Sequence, residues 1–113
     1  MPGVAYDETL AERIRAVLGD DPRLHEQRMF GGLAFMIAGN MCVGVVSDEL
    51  MVRVGPDAYP DAVALPHARE MDFAGRPMRG FVFVDGAGIA ARADLEAWVD
   101  RGLAFAESLP AKR

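Results

Sequence analysis

The sequence predicts an α+β domain. An antiparallel sheet is built from a three-stranded meander (residues about 24–54) and a second hairpin (residues about 70–84), and it packs with an N-terminal and a C-terminal helix. Three observations carry this reading. Two apolar runs flank Gly39-Asn40, and glycine accepts the positive φ that opens a type II′ hairpin turn. Two further β-rich runs flank Ala74-Gly75-Arg76-Pro77. Both ends of the chain carry apolar residues at three- and four-residue spacing, the period of a helix.

Residues 7–18 form the first predicted helix. Asp7 can accept a free backbone N–H of the opening turn, and Glu8 sits near the positive end of the dipole. Leu10, Ile14, Val17 and Leu18 fall on one stripe, and Gly19 followed by Asp20-Asp21-Pro22 ends it. Residues 24–30 are extended and lead into Gly31-Gly32. Strands at about 33–38 and 41–46 make the first hairpin, in a register that sets Phe35 opposite Gly44. Ser47-Asp48-Glu49 turns, and Leu50 to Val54 is the third strand.

Side chains alternate along a strand, so this register sorts them by face. One face collects Leu33, Phe35, Ile37, Cys42, Val46, Leu50, Val52 and Val54. The other collects Ala34, Met36, Ala38, Met41, Val43, Val45, Met51 and Arg53. A half-exposed sheet is polar on one face. Here both are apolar, so either helices cover both or the methionine face meets a partner.

Gly55-Pro56 breaks the third strand, and Pro56 to Ala64 is a short helix stopped by Pro66. Strands at 70–73 and 78–84 make the second hairpin, and its four-residue loop sets Asp72 opposite Arg79 as a cross-strand ion pair. Phe81-Val82-Phe83-Val84 is apolar on both faces, which places it inside the sheet. The last helix spans about 92–108, with Leu95, Trp98, Val99, Gly102, Leu103 and Ala106 in helical spacing.

Composition bounds the function. A chain of 113 residues is one domain, and folding at this size removes roughly 65% of the unfolded surface, enough for one core. Cys42 is the only cysteine, which excludes an internal disulfide and fits a reducing compartment. No apolar run approaches the ~20 residues that span a bilayer, and the N-terminus lacks the pattern of a signal peptide. A cytoplasmic protein with no membrane contact is expected. The net charge of −5 repels phosphate backbones, so direct nucleic-acid binding is disfavoured.

The motifs that would carry chemistry are incomplete. Gly86-Ala87-Gly88-Ile89-Ala90-Ala91 follows a strand and precedes a helix, as a dinucleotide fingerprint does. The fingerprint also needs a following parallel strand and an acidic residue about 20 positions on, and the residues after Ala91 read as helix and tail. His25 and His67 lie in no metal-ligand spacing, so no metal and no cofactor is expected. Ser47, Ser108 and Thr9 sit in no nucleophile motif, and no carboxylate pair stands out as acid and base. No catalytic residue is assigned.

The ordered set Met29-Phe30-Gly31-Gly32, Phe35, Gly39-Asn40-Met41, Gly44, Leu50, Arg53 and Val54 resembles the TfoX (Sxy) N-terminal domain family. Gly75-Arg76-Pro77-Met78-Arg79-Gly80-Phe81 and the ending Trp98-Val99 to Leu109-Pro110 resemble its small stand-alone members. The resemblance covers nearly the whole chain from the first helix on, and it makes residues 1–113 a single domain of this kind. It implies an α+β domain and a link to regulation, because the namesake proteins regulate competence for DNA uptake. Those regulators carry a second, helical domain, and this sequence ends at Arg113.

The expected function is therefore a non-catalytic interaction or regulatory module that works through protein–protein contacts, with a second copy of the chain among the candidate partners. Met29, Phe30, Gly31 and Gly32 are candidates as the signature, and Met36 and Met41 as the apolar face. Arg53, His67, Arg76 and Arg79 are candidates as a basic window. The alternative is a small-molecule binder or enzyme with a pocket between the two hairpins, where those three arginines and His67 hold an anionic ligand.

Overall fold

The computed structural model describes residues 6–29, 31–73 and 75–112, the side chains of Phe73, Arg76 and Pro77 excepted. Its elements run α1 (Glu8–Leu18), β1 (Leu24–Met29), β2 (Gly32–Ile37), β3 (Asn40–Val46), β4 (Glu49–Arg53), α2 (Tyr59–Val63), β5 (Ala68–Phe73), β6 (Arg76–Val84), a 3-10 turn (Gly86–Ile89) and α3 (Arg92–Ser108). The six strands form one antiparallel sheet in the order β1-β2-β3-β4-β6-β5. The α+β architecture expected from the sequence is thus present, with residues 24–29 upgraded from a lead-in to a paired strand. The meander has four strands rather than three.

Local signals set the helices. The Asp7 carboxylate accepts from the Thr9 and Leu10 amides, and Gly19 closes α1 at φ +68. In α3 the spacing of Leu95, Trp98, Val99, Gly102 and Ala106 buries one face against β3 and β4. Full burial of each large apolar side chain there contributes about 1.5–3 kcal/mol. Gly102 permits the closest approach: a Cβ at that position would collide with the Cys42 carbonyl and lie 2.9 Å from Val43 Cγ1.

The hairpin register departs from the sequence expectation in an instructive way. The turn residues are Ala38 and Gly39, both at positive φ (52 and 83), so Ile37 pairs with Asn40. That is the type I′ pattern, one residue earlier than the Gly39-Asn40 turn expected. Contacts from distant sequence fix it. The Ala38 amide donates to the Arg23 carbonyl (3.0 Å), the Lys112 amide donates to the Ala38 carbonyl (2.7 Å), and Asn40 Nδ2 donates to the Pro110 carbonyl (2.9 Å).

A bulge follows. Met36 pairs with Met41 and Phe35 with Val43, which leaves Cys42 as the extra residue of β3. Beyond it Ala34, not Phe35, lies opposite Gly44. The extra residue reverses the facing of the rest of β3, while Leu50, Met51 and Val52 of β4 keep the faces expected of them. Val43 and Val45, expected on the methionine face, belong to the helix-side core, and Val46 changes over in the other direction. The second hairpin differs similarly. Phe73 lies opposite Arg76 and Asp72 opposite Pro77, and among the described residues the expected Asp72–Arg79 ion pair is not formed.

Two apolar clusters result. The first joins α1, α2 and α3 to one sheet face through Leu10, Ile14, Phe35, Val43, Leu50, Val52, Val82, Leu95 and Val99. The second contains strand residues alone.

Candidate functional site

The second cluster is the other face of the sheet. Its buried members are Ala34, Met41, Met51 and Met71, and Met29, Met36, Val46, Met78, Phe81 and Phe83 pack around them half-buried. Alternation explains the membership. Val82 and Val84 point into the helix-side core, so Phe81 and Phe83, which alternate with them, point the other way. Met51 pairs with Phe83 and Arg53 with Phe81, which continues the face from β4 to β6. At the opposite edge His25 pairs with Met36 and Gln27 with Ala34.

Every methionine among the described residues lies in this cluster and none in the helix-side core. Methionine is unbranched, with three rotatable bonds and a polarizable sulfur, so a layer of it adapts its shape at little cost. Among the described residues, the helices contribute to the first cluster only. The face therefore presents aromatic rings and thioethers at partial exposure.

Arginines trim this face. Arg69 makes a two-pronged ion pair with Glu49, and its guanidinium carbon lies 4.9 Å from the centroid of the Phe83 ring. The bonds to Glu49 hold the Arg69 guanidinium above the ordinary arginine range. Arg53 sits between two rings, 5.8 Å from Phe81 and 5.1 Å from Phe105 at the end of α3. A guanidinium over an aromatic face is attracted by the ring quadrupole.

The structure brings some of the sequence-predicted residues together and separates others. Met29, Met36 and Met41 share the face with Arg53 at its end. Gly31 turns the chain at φ +73, and a Cβ on Gly32 would strike the Val45 carbonyl; these two line a cavity of about 330 Å³ with Tyr6, Arg28 and Met29. Phe30 and the side chain of Arg76 lie outside the described residues. Arg79 is exposed on β6.

His67 stands apart. It adopts φ +69, its Nδ1 lies 3.2 Å from Asp85 Oδ1, and it lines a cavity of about 280 Å³ with Trp98 and Arg101 that Arg53 and Arg79 do not line. The anion pocket expected to join Arg53, His67 and Arg79 is thus not formed at this cavity. The glycine motif at 86–88 forms the 3-10 turn, in which Asp85 accepts from the Gly88 amide. Among the described residues no parallel strand follows it, so the dinucleotide geometry is not built there.

Sequence reasoning missed Phe81, Phe83 and Arg69 as members of the methionine face. The signal was present in Phe81-Val82-Phe83-Val84: two rings at i and i+2 occupy one face of a strand. Among the described residues no group of three metal-ligating side chains converges, and no helix is long and apolar enough to cross a membrane.

Comparison with curated proteins and with solved structures gives no significant match. The family model of the TfoX N-terminal domain matches residues 17–106, which takes in β1 through most of α3 and so both faces of the sheet. With that match spanning most of the chain, and with the α+β sheet in place, the chain belongs to the TfoX N-terminal domain family.

Proposed function

We propose that this domain is a non-catalytic protein-interaction module, that its contact surface is the methionine-phenylalanine face, and that a second copy of the chain is its first occupant. One observation carries the reading. Six half-buried apolar side chains lie on a sheet face to which no described helix contributes. Contiguous exposed apolar surface of this kind marks interaction sites in proteins. Two half-covered sheets that meet face to face bury the same patch twice, and sheet-on-sheet packing is a standard solution for such faces. Charge is consistent with it, because Glu49 pairs with Arg69 and Arg53 lies at the end of the face, clear of its centre.

The family is generally non-enzymatic, in keeping with a role in contact rather than catalysis. A regulatory role in the manner of the competence regulators rests on family membership, with the sheet face as the part that would carry the contact. Light scattering tests the proposal: the wild-type protein at tens of micromolar has twice the 12.2 kDa monomer mass. Met36→Glu and Phe83→Glu each return it to the monomer mass with an unchanged circular dichroism spectrum. A wild-type monomer at all concentrations contradicts the proposal.

A further inference from the structure

A large open cleft lies away from the methionine face, between α3 and the segment joining β4 to α2. Its volume is about 630 Å³, within the range of small-molecule sites, and one side is open to solvent. Val54, Pro56, Ala104, Phe105 and Leu109 make its apolar wall. The Phe105 ring is held in place from two sides. A Cβ on Gly55 would collide with it, and the Arg53 guanidinium carbon lies 5.1 Å from its centroid.

Two opposite charges line the same cavity, Arg101 and Asp57. Among the described residues neither has an ionic partner within 4.0 Å, and so they do not neutralise each other. Arg101 stands where this cavity meets the smaller one beside His67, its guanidinium carbon 5.3 Å from the centroid of the Trp98 ring on that side. The remaining polar group is already engaged: Ser108 Oγ donates to the Phe105 carbonyl at 2.6 Å. An apolar cavity with one unpaired cation and one unpaired carboxylate is complementary to a small zwitterion with an apolar body.

We propose that this cavity binds a free apolar α-amino acid. Arg101 holds the carboxylate, Asp57 holds the ammonium group, and the side chain lies against Phe105 and Val54. A simple carboxylate would leave Asp57 opposed to it, and a simple amine would leave Arg101 without a counter-charge; the zwitterion alone satisfies both. The site stands independently of the sheet-face proposal, since none of the face's methionines lines it.

The test is an amide-shift titration of the full 15N-labelled chain with L-phenylalanine, and with 3-phenylpropionate and phenethylamine as single-charge probes. The amino acid gives saturable shifts at Val54, Ala58, Ala104 and Leu109. Loss of one charge-assisted contact costs about tenfold in affinity, so each single-charge probe binds about tenfold more weakly. Arg101→Gln and Asp57→Asn, both at exposed positions, weaken L-phenylalanine by a similar factor, and Ala104→Trp, which fills the cavity, abolishes the shifts. Absence of saturable shifts with L-phenylalanine overturns the proposal. So does equal affinity for all three probes, or binding that survives Ala104→Trp.

Discussion

Gly102 and Cys42 meet where α3 lies on β3, and each makes a separate prediction. A methyl group at position 102 has nowhere to go, since it would enter the Cys42 carbonyl and crowd Val43. Gly102→Ala gains up to about 1 kcal/mol of helix propensity and loses about 1–3 kcal/mol to overpacking against rigid backbone. The net effect expected is destabilisation. For a domain of this size each kcal/mol lowers the melting temperature by roughly 4–8 °C, which thermal unfolding measures directly. Cys42 is fully buried, and burial first, then the charges of Glu107 and Asp100, push its thiol up to about 12. The thiolate is the nucleophile, so the native protein resists thiol reagents at pH 8 and reacts at the rate at which it unfolds. Fast stoichiometric labelling of the folded protein contradicts this account.

At the scale of elements, the clamp between α1 and β1 is electrostatic. Arg15 bonds Glu26 through both Nε (2.7 Å) and Nη2 (2.9 Å), and it also pairs with Glu8 (3.0 Å). The hydrogen bonds from Arg15 hold the Glu26 carboxyl below its ordinary value. A depressed carboxyl stabilises the fold at pH above its unfolded value, about 4.3, and this contribution is lost as pH falls through the lower folded value. Arg15→Ala returns the Glu26 titration to the ordinary carboxylate range, measurable by carboxyl-carbon NMR. An unmoved midpoint contradicts the clamp. Asp21 behaves alike, held down to about 2 by its bonds to the Arg23 side chain and amide, but the exposure of Arg23 leaves that pair of little weight for stability.

The elements also show what was legible in the sequence. Asp7 and Gly19 bound α1 as read, because a cap is a local event between neighbours. The β2–β3 register was not legible. Its turn is held by backbone groups of Arg23, Pro110 and Lys112, and no window around Gly39 contains them. The Cys42 bulge is likewise invisible to a period-2 reading, and it alone moved Val43, Val45 and Val46 to opposite faces. Asn40→Ala tests the tail contact. Loss of the bond to Pro110 costs about 1 kcal/mol and raises amide exchange at Lys112, whose N–H is otherwise bonded to Ala38.

The molecule as a whole is a sheet with one finished face and one unfinished face. Helices complete the first through Leu95, Trp98, Val99 and Ile14. Methionines and phenylalanines furnish the second, and a contact with another chain would complete it. The sequence foretold that Met36 and Met41 share an apolar face, because alternation sorts side chains before any packing is known. That the helices would all take the other face is a tertiary outcome, set by which face α3 reaches after the 3-10 turn at Gly86–Ile89. Solvent access to the methionine ε-methyls, labelled with 13C and probed by NMR with a soluble gadolinium chelate, tests the central claim most directly. The account predicts that the Met29, Met36 and Met78 methyls are shielded at high protein concentration and become accessible on dilution, while Met51 and Met71 stay shielded throughout. Equal access to Met29, Met36 and Met78 at every concentration would contradict it.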